Sequence, residues 1–266
     1  MSRLLLAPLL ALALAGPVAA QEVPNPLEDG ETWALLAPDI LGDVVPAPAE
    51  GVLAVEAPVR AEDAATVPVR LHQPEGAPPL SGLTLVVDEN PAPVAAEITL
   101  GQAMMPLDLE VRVRVNQYSN VRAVATTASG DVLMAGRFVK ASGGCSAPAS
   151  RSGEEALARM GEMRLREFGA AEDGRREAQV MIRHPQFSGF QRDHLTQLRV
   201  PAHFIDQLEV CQGEERLSAL TGGISLSENP VFRFRYADNG APGFRVLARD
   251  TEGNVFEQTL PKEPQT

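Results

Sequence analysis

The sequence predicts an all-β protein of two sandwich domains, and three observations carry that expectation. Short runs of alternating apolar and polar residues recur along the chain, separated by turn-forming clusters. The 266 residues suffice for two ordinary domains, each with its own core. Charge is unevenly divided: residues 21–147 carry 17 Asp and Glu against 7 Lys and Arg, and residues 148–266 carry 18 against 15, which supports a boundary near residue 148.

Arg3, the apolar run from Leu4 to Ala15 and the small residues Val18-Ala19-Ala20 have the pattern of a secretory signal peptide over residues 1–20. No later run approaches the roughly 20 apolar residues of a membrane span. The mature chain is therefore expected to be exported, without a span. Its formal charge of −12 argues against nucleic acid, which needs a basic face.

Next, "TWALLAPDILG" reads as a short helix with Thr32 placed to cap it. Strands follow in "TVPVRLHQ", "LTLVVDEN", "LEVRVRVN", "VRAVATTASG" and "VLMAGRFVK". In the third, Leu109, Val111, Val113 and Val115 alternate with Glu110, Arg112, Arg114 and Asn116, giving one buried and one solvated face. "DENPAP" and "SENP" read as turns. Residues 154–168, "EEALARMGEMRLREF", read as a linker helix, acidic at its start, with Gly169 as a C-cap. The β pattern returns in "EAQVMIRHP", "HFIDQLEVCQG", "ERLSALTGGISL" and "PVFRFRYAD", where Arg233 and Arg235 read as a solvated face. A hairpin closes the series in "RDTEGNVF".

Catalytic templates are missing: no Gly-x-Ser-x-Gly elbow, phosphate-binding glycine loop, His-Glu-x-x-His or Cys-x-x-Cys occurs. His184, His194 and His203 fall within twenty residues but share no ligand spacing with a cysteine, so they read as surface or packing residues and no metal is expected. No cofactor is implied. What chemistry remains lies in "VKASGGCSAPAS". Cys145 follows Gly143 and Gly144, which form a flexible arm, and its thiol is expected to be exposed. No base stands near it in the sequence, so it makes a poor catalytic nucleophile and a good attachment point. Cys211, at the end of an apolar strand, reads as a small structural residue. An oxidising compartment would also permit a Cys145–Cys211 disulfide.

These segments resemble the Sox thiosulfate-oxidation family of sulfur carriers. "VLAVEAPVRAEDAATVPV", "LTLVVDENPAPVAAEITL" and the run from Val111 to Cys145 resemble a SoxY-like domain over residues 31–147. "VMIRHPQFSGFQRD", "PAHFIDQLEVCQGEERL", "ISLSENPVFRFRY" and "VLARDTEGNVF" resemble a SoxZ-like domain over 176–266, leaving 148–175 as linker. The resemblance implies two immunoglobulin-like β-sandwiches packed as a pair. It further implies that Cys145 holds a sulfur compound covalently while periplasmic Sox-type enzymes act on it. Two departures stand out: Ser146 and Ala147 replace the trailing glycines of the family's arm, and the arm is internal to the chain. Fused carriers of this kind also resemble a subfamily associated with exported quinoprotein dehydrogenases. The alternative reading is accordingly a non-catalytic interaction or chaperone-like module for such an enzyme.

Overall fold

The computed structural model describes residues 25–28, 30–148, 157–169, 174–193 and 196–262. The expected signal peptide and His194 lie outside these residues. No helix among the described residues is long and apolar enough to cross a membrane.

The first domain opens with helix α1 (Glu31–Leu41). Its strands are β1 (Ala47–Pro48), β2 (Ala54–Glu56), β3 (Val67–His72), β4 (Leu80–Val87), β5 (Val94–Leu100), β6 (Asp108–Val113), β7 (Ser119–Thr127) and β8 (Val132–Val139). The second domain comprises β9 (Met163–Phe168), β10 (Arg176–Ile182), β11 (Ile205–Gln212), β12 (Glu215–Gly222), β13 (Val231–Tyr236), β14 (Gly243–Asp250) and β15 (Val255–Pro261). The fold is all-β, as the alternation predicts. In β3 the pattern is visible residue by residue: Val67, Val69 and Leu71 are fully buried while Pro68 is exposed.

The two sandwiches are joined edge to edge in both layers. One sheet of nine strands runs β1-β8-β7-β4-β5-β12-β11-β14-β15, and one of six runs β2-β3-β6-β13-β10-β9. At the seams, Ala96–Leu100 of β5 pair with Ser218–Gly222 of β12, and Leu109–Val111 of β6 pair with Phe232–Phe234 of β13. Each domain thereby covers an edge of the other that would otherwise present unpaired backbone groups, and a single hydrophobic cluster runs through both. Gly101 sits at the nine-stranded seam. Its N–H donates to Leu217 O at 2.7 Å, and a Cβ there would collide with Arg216 O and lie 2.9 Å from Leu217 O. Both obstacles are main chain and cannot swing aside. Gly101→Ala is expected to destabilise the protein by about 3 kcal/mol, read as a lowered urea midpoint; an unchanged midpoint would show that the seam adapts freely.

Several expectations need correction. The linker helix does not extend over 163–168. These residues form β9, paired with β10 from Met163↔Ile182 to Phe168↔Glu177. Pairing with an open sheet edge outweighs the weak helical preference of "EMRLREF", and only residues 157 and 158 of the described linker are helical. Thr32 lies inside α1, whose N-cap is the extended Gly30, without a side-chain cap bond. Arg233 and Arg235 do not form a freely solvated face. Arg233 pairs with Glu177 and Arg235 with Asp108 at 3.2 Å across the six-stranded seam, and Arg70 also holds Asp108 at 2.9 Å.

Candidate functional site

The segment after β8 does not project from the body. Lys140 bridges Arg60, Ala141 is buried, and residues 144–146 form a turn. Gly143 has φ +82, a left-handed conformation that an L side chain rarely adopts. Its N–H donates to Asn116 O at 2.8 Å, and the next N–H, of Gly144, donates to Val115 O at 3.1 Å. Gly144 is glycine for a different reason: a Cβ would collide with Ala64 O and lie 2.7 Å from Val115 O. The turn is therefore seated in a slot of main chain from the first domain. Ser146 closes it, its N–H and Oγ both donating to Gly143 O at 3.2 Å.

The second domain covers the seat. Ser188 Oγ donates a short hydrogen bond to Cys145 O, and Ser188 is itself positioned by its N–H donating to Gln191 Oε1 at 3.1 Å. Cys145 is consequently 1 % exposed, which corrects the exposed thiol expected from its glycine-rich surroundings. Glycine permits close approach as readily as it permits freedom, and here the close approach is realised. Burial pushes the Cys145 thiol above its usual pKa, with Arg114 pulling the other way. Among the described residues, no group hydrogen-bonds the thiol. Cys145 and Cys211 are both free, and Cys211 lies buried on β11 with Arg245 Nη2 and Glu209 Oε1 each 3.5 Å from its sulfur.

Arg114 is the residue that the sequence pattern misplaces. By alternation it belongs on the solvated face of β6; in the fold it is 1 % exposed, because the second domain closes over the end of that strand. Its Nη1 donates to Gly144 O at 3.0 Å and its Nη2 to Gln186 O at 3.2 Å, joining the turn to the second domain. Among the described residues its Nε has no hydrogen-bond partner and no carboxylate bonds its guanidinium. Asn90, in the "DENP" turn, braces the same region: its Nδ2 donates to Arg114 O and Ser225 Oγ, and its Oδ1 accepts from Asn116 N. Beside the turn, Ser146, Pro148, Phe190, Arg192 and Gln197 line a cleft of about 260 Å³. The sequence signal for Arg114 and Ser188 was absent, since both act through partners 30 to 72 residues away.

Behind Gln186, the fold brings together two of the three clustered histidines. His184 Nε2 and His203 Nε2 lie 3.4 and 2.8 Å from Asp250 Oδ2, and all three residues are buried. The ligand atoms lie within 4.8 Å of one another, close enough for a metal. The hydrogen bonds oppose that use. His184 Nδ1 accepts from Gln186 N–H at 3.1 Å, which leaves the ring proton on Nε2, facing Asp250. A metal on Nε2 would need that proton moved to Nδ1, against the amide N–H. Burial, and then the neighbouring His203, hold His184 down at about 4. Burial disfavours ionisation of Asp250, yet hydrogen bonds from Asn254 and His203 bring its carboxyl down to about 2. The cluster reads as a buried polar brace beneath the loop that carries Gln186 and Ser188.

Residues 37–145 match the family model described as "Sulfur oxidation protein SoxY", and residues 163–261 match that described as "Sulphur oxidation protein SoxZ". The first match ends on Cys145, and the second begins at β9. A search of the curated proteins returns no match. Among solved structures, the sulfur carrier protein SoxY from Chlorobium limicola f thiosulfatophilum is similar at 21 % identity and a TM-score of 0.35, covering 41 % of this chain and 96 % of its own. A tetra-tandem repeat from the extending region of a large adhesion protein is similar at 12 % identity and a TM-score of 0.26, covering 80 % of this chain and 48 % of its own.

Proposed function

Because this chain is a fusion of a SoxY-family domain and a SoxZ-family domain, we propose that it is an exported sulfur carrier that holds a sulfur compound covalently on Cys145. The observation that carries the reading is the placement of Cys145: it ends the SoxY-family segment, on a Gly-Gly turn, at the point where the two domains meet. Export follows from the signal-peptide pattern of residues 1–20, and the compartment is the periplasm. The partners are Sox-type enzymes or a quinoprotein dehydrogenase system, and the activating groups for the thiol belong to them. The chain itself performs no turnover: no base stands beside Cys145 among the described residues, and burial keeps it in the unreactive thiol form at neutral pH.

Carriage requires the turn to leave its seat. The holds are few and polar: two backbone donors from Gly143 and Gly144, one guanidinium contact and one serine hydroxyl. Such holds are individually worth about 1 kcal/mol, so release is compatible with an intact body. Gly143 and Gly144 serve as the hinge of the flexible arm, which is tied at both ends and enters a partner as a loop.

The test is covalent loading. Tetrathionate transfers a thiosulfonate group when a thiolate displaces thiosulfate from its central S–S bond, giving R–S–S–SO₃⁻. The mass of that adduct is expected on the Cys145 peptide of the wild type and to vanish from Cys145→Ser, which keeps Cys211 and the fold. Protein recovered from the exporting cell is expected to carry a reductant-sensitive sulfur adduct on the same peptide. Adduct persisting in Cys145→Ser would defeat the proposal. Burial of Cys145 favours a second reading, an interaction module for an exported quinoprotein dehydrogenase. In that case Cys145→Ser leaves the cellular phenotype unchanged.

A further inference from the structure

We propose that Arg114 is the counter-ion for an anionic sulfur group on Cys145, so that the arm seats preferentially when its cargo is negatively charged. The inference rests on the carrier reading and concerns which residue holds the loaded arm in its seat.

The argument starts from an imbalance. A guanidinium is always charged, and burying one is expensive unless an anion accompanies it. Arg114 is 1 % exposed and donates to two carbonyl oxygens, and among the described residues it forms no ion pair and its Nε has no acceptor. Carbonyl dipoles solvate such a cation only in part. The groups whose charge reaches it are Cys145 first, then Glu228 and Asp63. Among the described residues neither carboxylate hydrogen-bonds Arg114, and Asp63 accepts from Ala65 N and Thr66 Oγ1. Cys145 follows Gly144, whose carbonyl Arg114 Nη1 holds at 3.0 Å, and of these three groups it is the one whose charge changes with its cargo. Uncharged, it leaves the cation uncompensated; loaded with an anion, it completes the pair. Beyond Ser146 the adjoining cleft, with Arg192 on its wall, offers room for the oxygens of a longer adduct.

Charge on the cargo and seating of the arm are then thermodynamically coupled, and the coupling is reciprocal. A loaded anionic arm stays sheltered from stray reductants, and a discharged arm is released more readily.

The experiment compares two adducts on Cys145 of the full chain. Tetrathionate gives the anionic thiosulfonate. Methyl methanethiosulfonate gives neutral R–S–S–CH₃, the thiolate displacing methanesulfinate. Each is removed with dithiothreitol, and each rate is referred to the same adduct on a free Gly-Gly-Cys-Ser-Ala peptide. In the wild type the anionic adduct is expected to be protected about ten-fold more than the neutral one. Arg114→Met should erase the difference, and Arg114→Lys should retain part of it. Because Arg114→Met removes a brace, the wild type supplies an independent readout: the anionic form should melt at a higher temperature than the neutral form. Equal protection of the two adducts in the wild type, an unchanged ratio in Arg114→Met, or equal melting temperatures would each overturn the proposal. Both adducts are installed chemically, so this outcome is separate from whether cells load Cys145; loss of the carrier reading would come from the Cys145→Ser experiment.

Discussion

Gly144→Ala is expected to expel the arm and turn Cys145 from a protected thiol into an accessible one. The added Cβ would collide with Ala64 O and stand 2.7 Å from Val115 O, and these are main-chain atoms of neighbouring segments that bond one another, Val115 N donating to Ala64 O at 2.8 Å. The slot cannot widen without breaking that bond, so the turn must leave. Its departure forfeits the Gly144 N–H bond to Val115 O, the Arg114 contact and the Ser188 contact. Labelling of Cys145 by a neutral maleimide is expected to accelerate at least about ten-fold, because seating that is worth roughly 1.4 kcal/mol or more no longer holds the thiol. Cys211, buried on β11, serves as the internal reference. Gly143→Ala should be milder, at about 1 kcal/mol, since its Cβ meets only Ser146 Oγ, in ordinary contact at 4.0 Å, and the positive φ alone opposes it. Equal labelling of wild type and Gly144→Ala would mean that the turn is held by something other than fit.

The second large effect is acid sensitivity centred on His184. Its pKa falls from 6.5 to about 4 in the fold, because burial disfavours the charged ring and His203 stands beside it, overriding the pull of Asp250. Above pH 6.5 the ring is neutral in both folded and unfolded chains. Between 6.5 and about 4 only the unfolded chain takes up the proton, so stability falls as pH falls through that window. The full loss is on the order of 3 kcal/mol. Asp250 adds a second loss at lower pH, starting at its unfolded 3.8 and continuing through about 2, because there the folded carboxylate is the harder of the two to protonate. Urea unfolding at pH 7, 5.5 and 4 is expected to show the first decline in the wild type and a flatter profile in His184→Gln. A wild-type profile level from pH 7 to 4 would remove the buried neutral His184 from the account. Because Gln186 joins His184 to Arg114, acid should also loosen the cover over Cys145 before the rest of the fold.

Much of this fold is legible in the sequence because β-strands declare themselves by local alternation. Val67, Val69 and Leu71, or Phe232, Phe234 and Tyr236, bury every second side chain regardless of what lies across the sheet. β5 is less legible. Its "VAAEITL" is built around small alanines, yet it carries the nine-stranded seam, where pairing with β12 rather than side-chain bulk defines it. β9 shows the opposite error: acidic residues followed by Arg164 and Arg166 imitate a helix until a sheet edge is offered to them.

The site divides the same way. The sequence alone determined that Cys145 follows two glycines at the junction of two β domains, since composition and order are local facts. Whether that thiol is exposed was decided by tertiary structure, because burial depends on what arrives from elsewhere: Ala64 and Val115 beneath the turn, and Ser188 over it. The charge environment was decided in the same step. Arg114 reads as an ordinary surface arginine by its period, and becomes a buried cation held by carbonyl oxygens only when the second domain closes on the end of β6. A residue's alternation reports which face of its own strand it occupies; what covers that face is set by chain that lies far away in sequence.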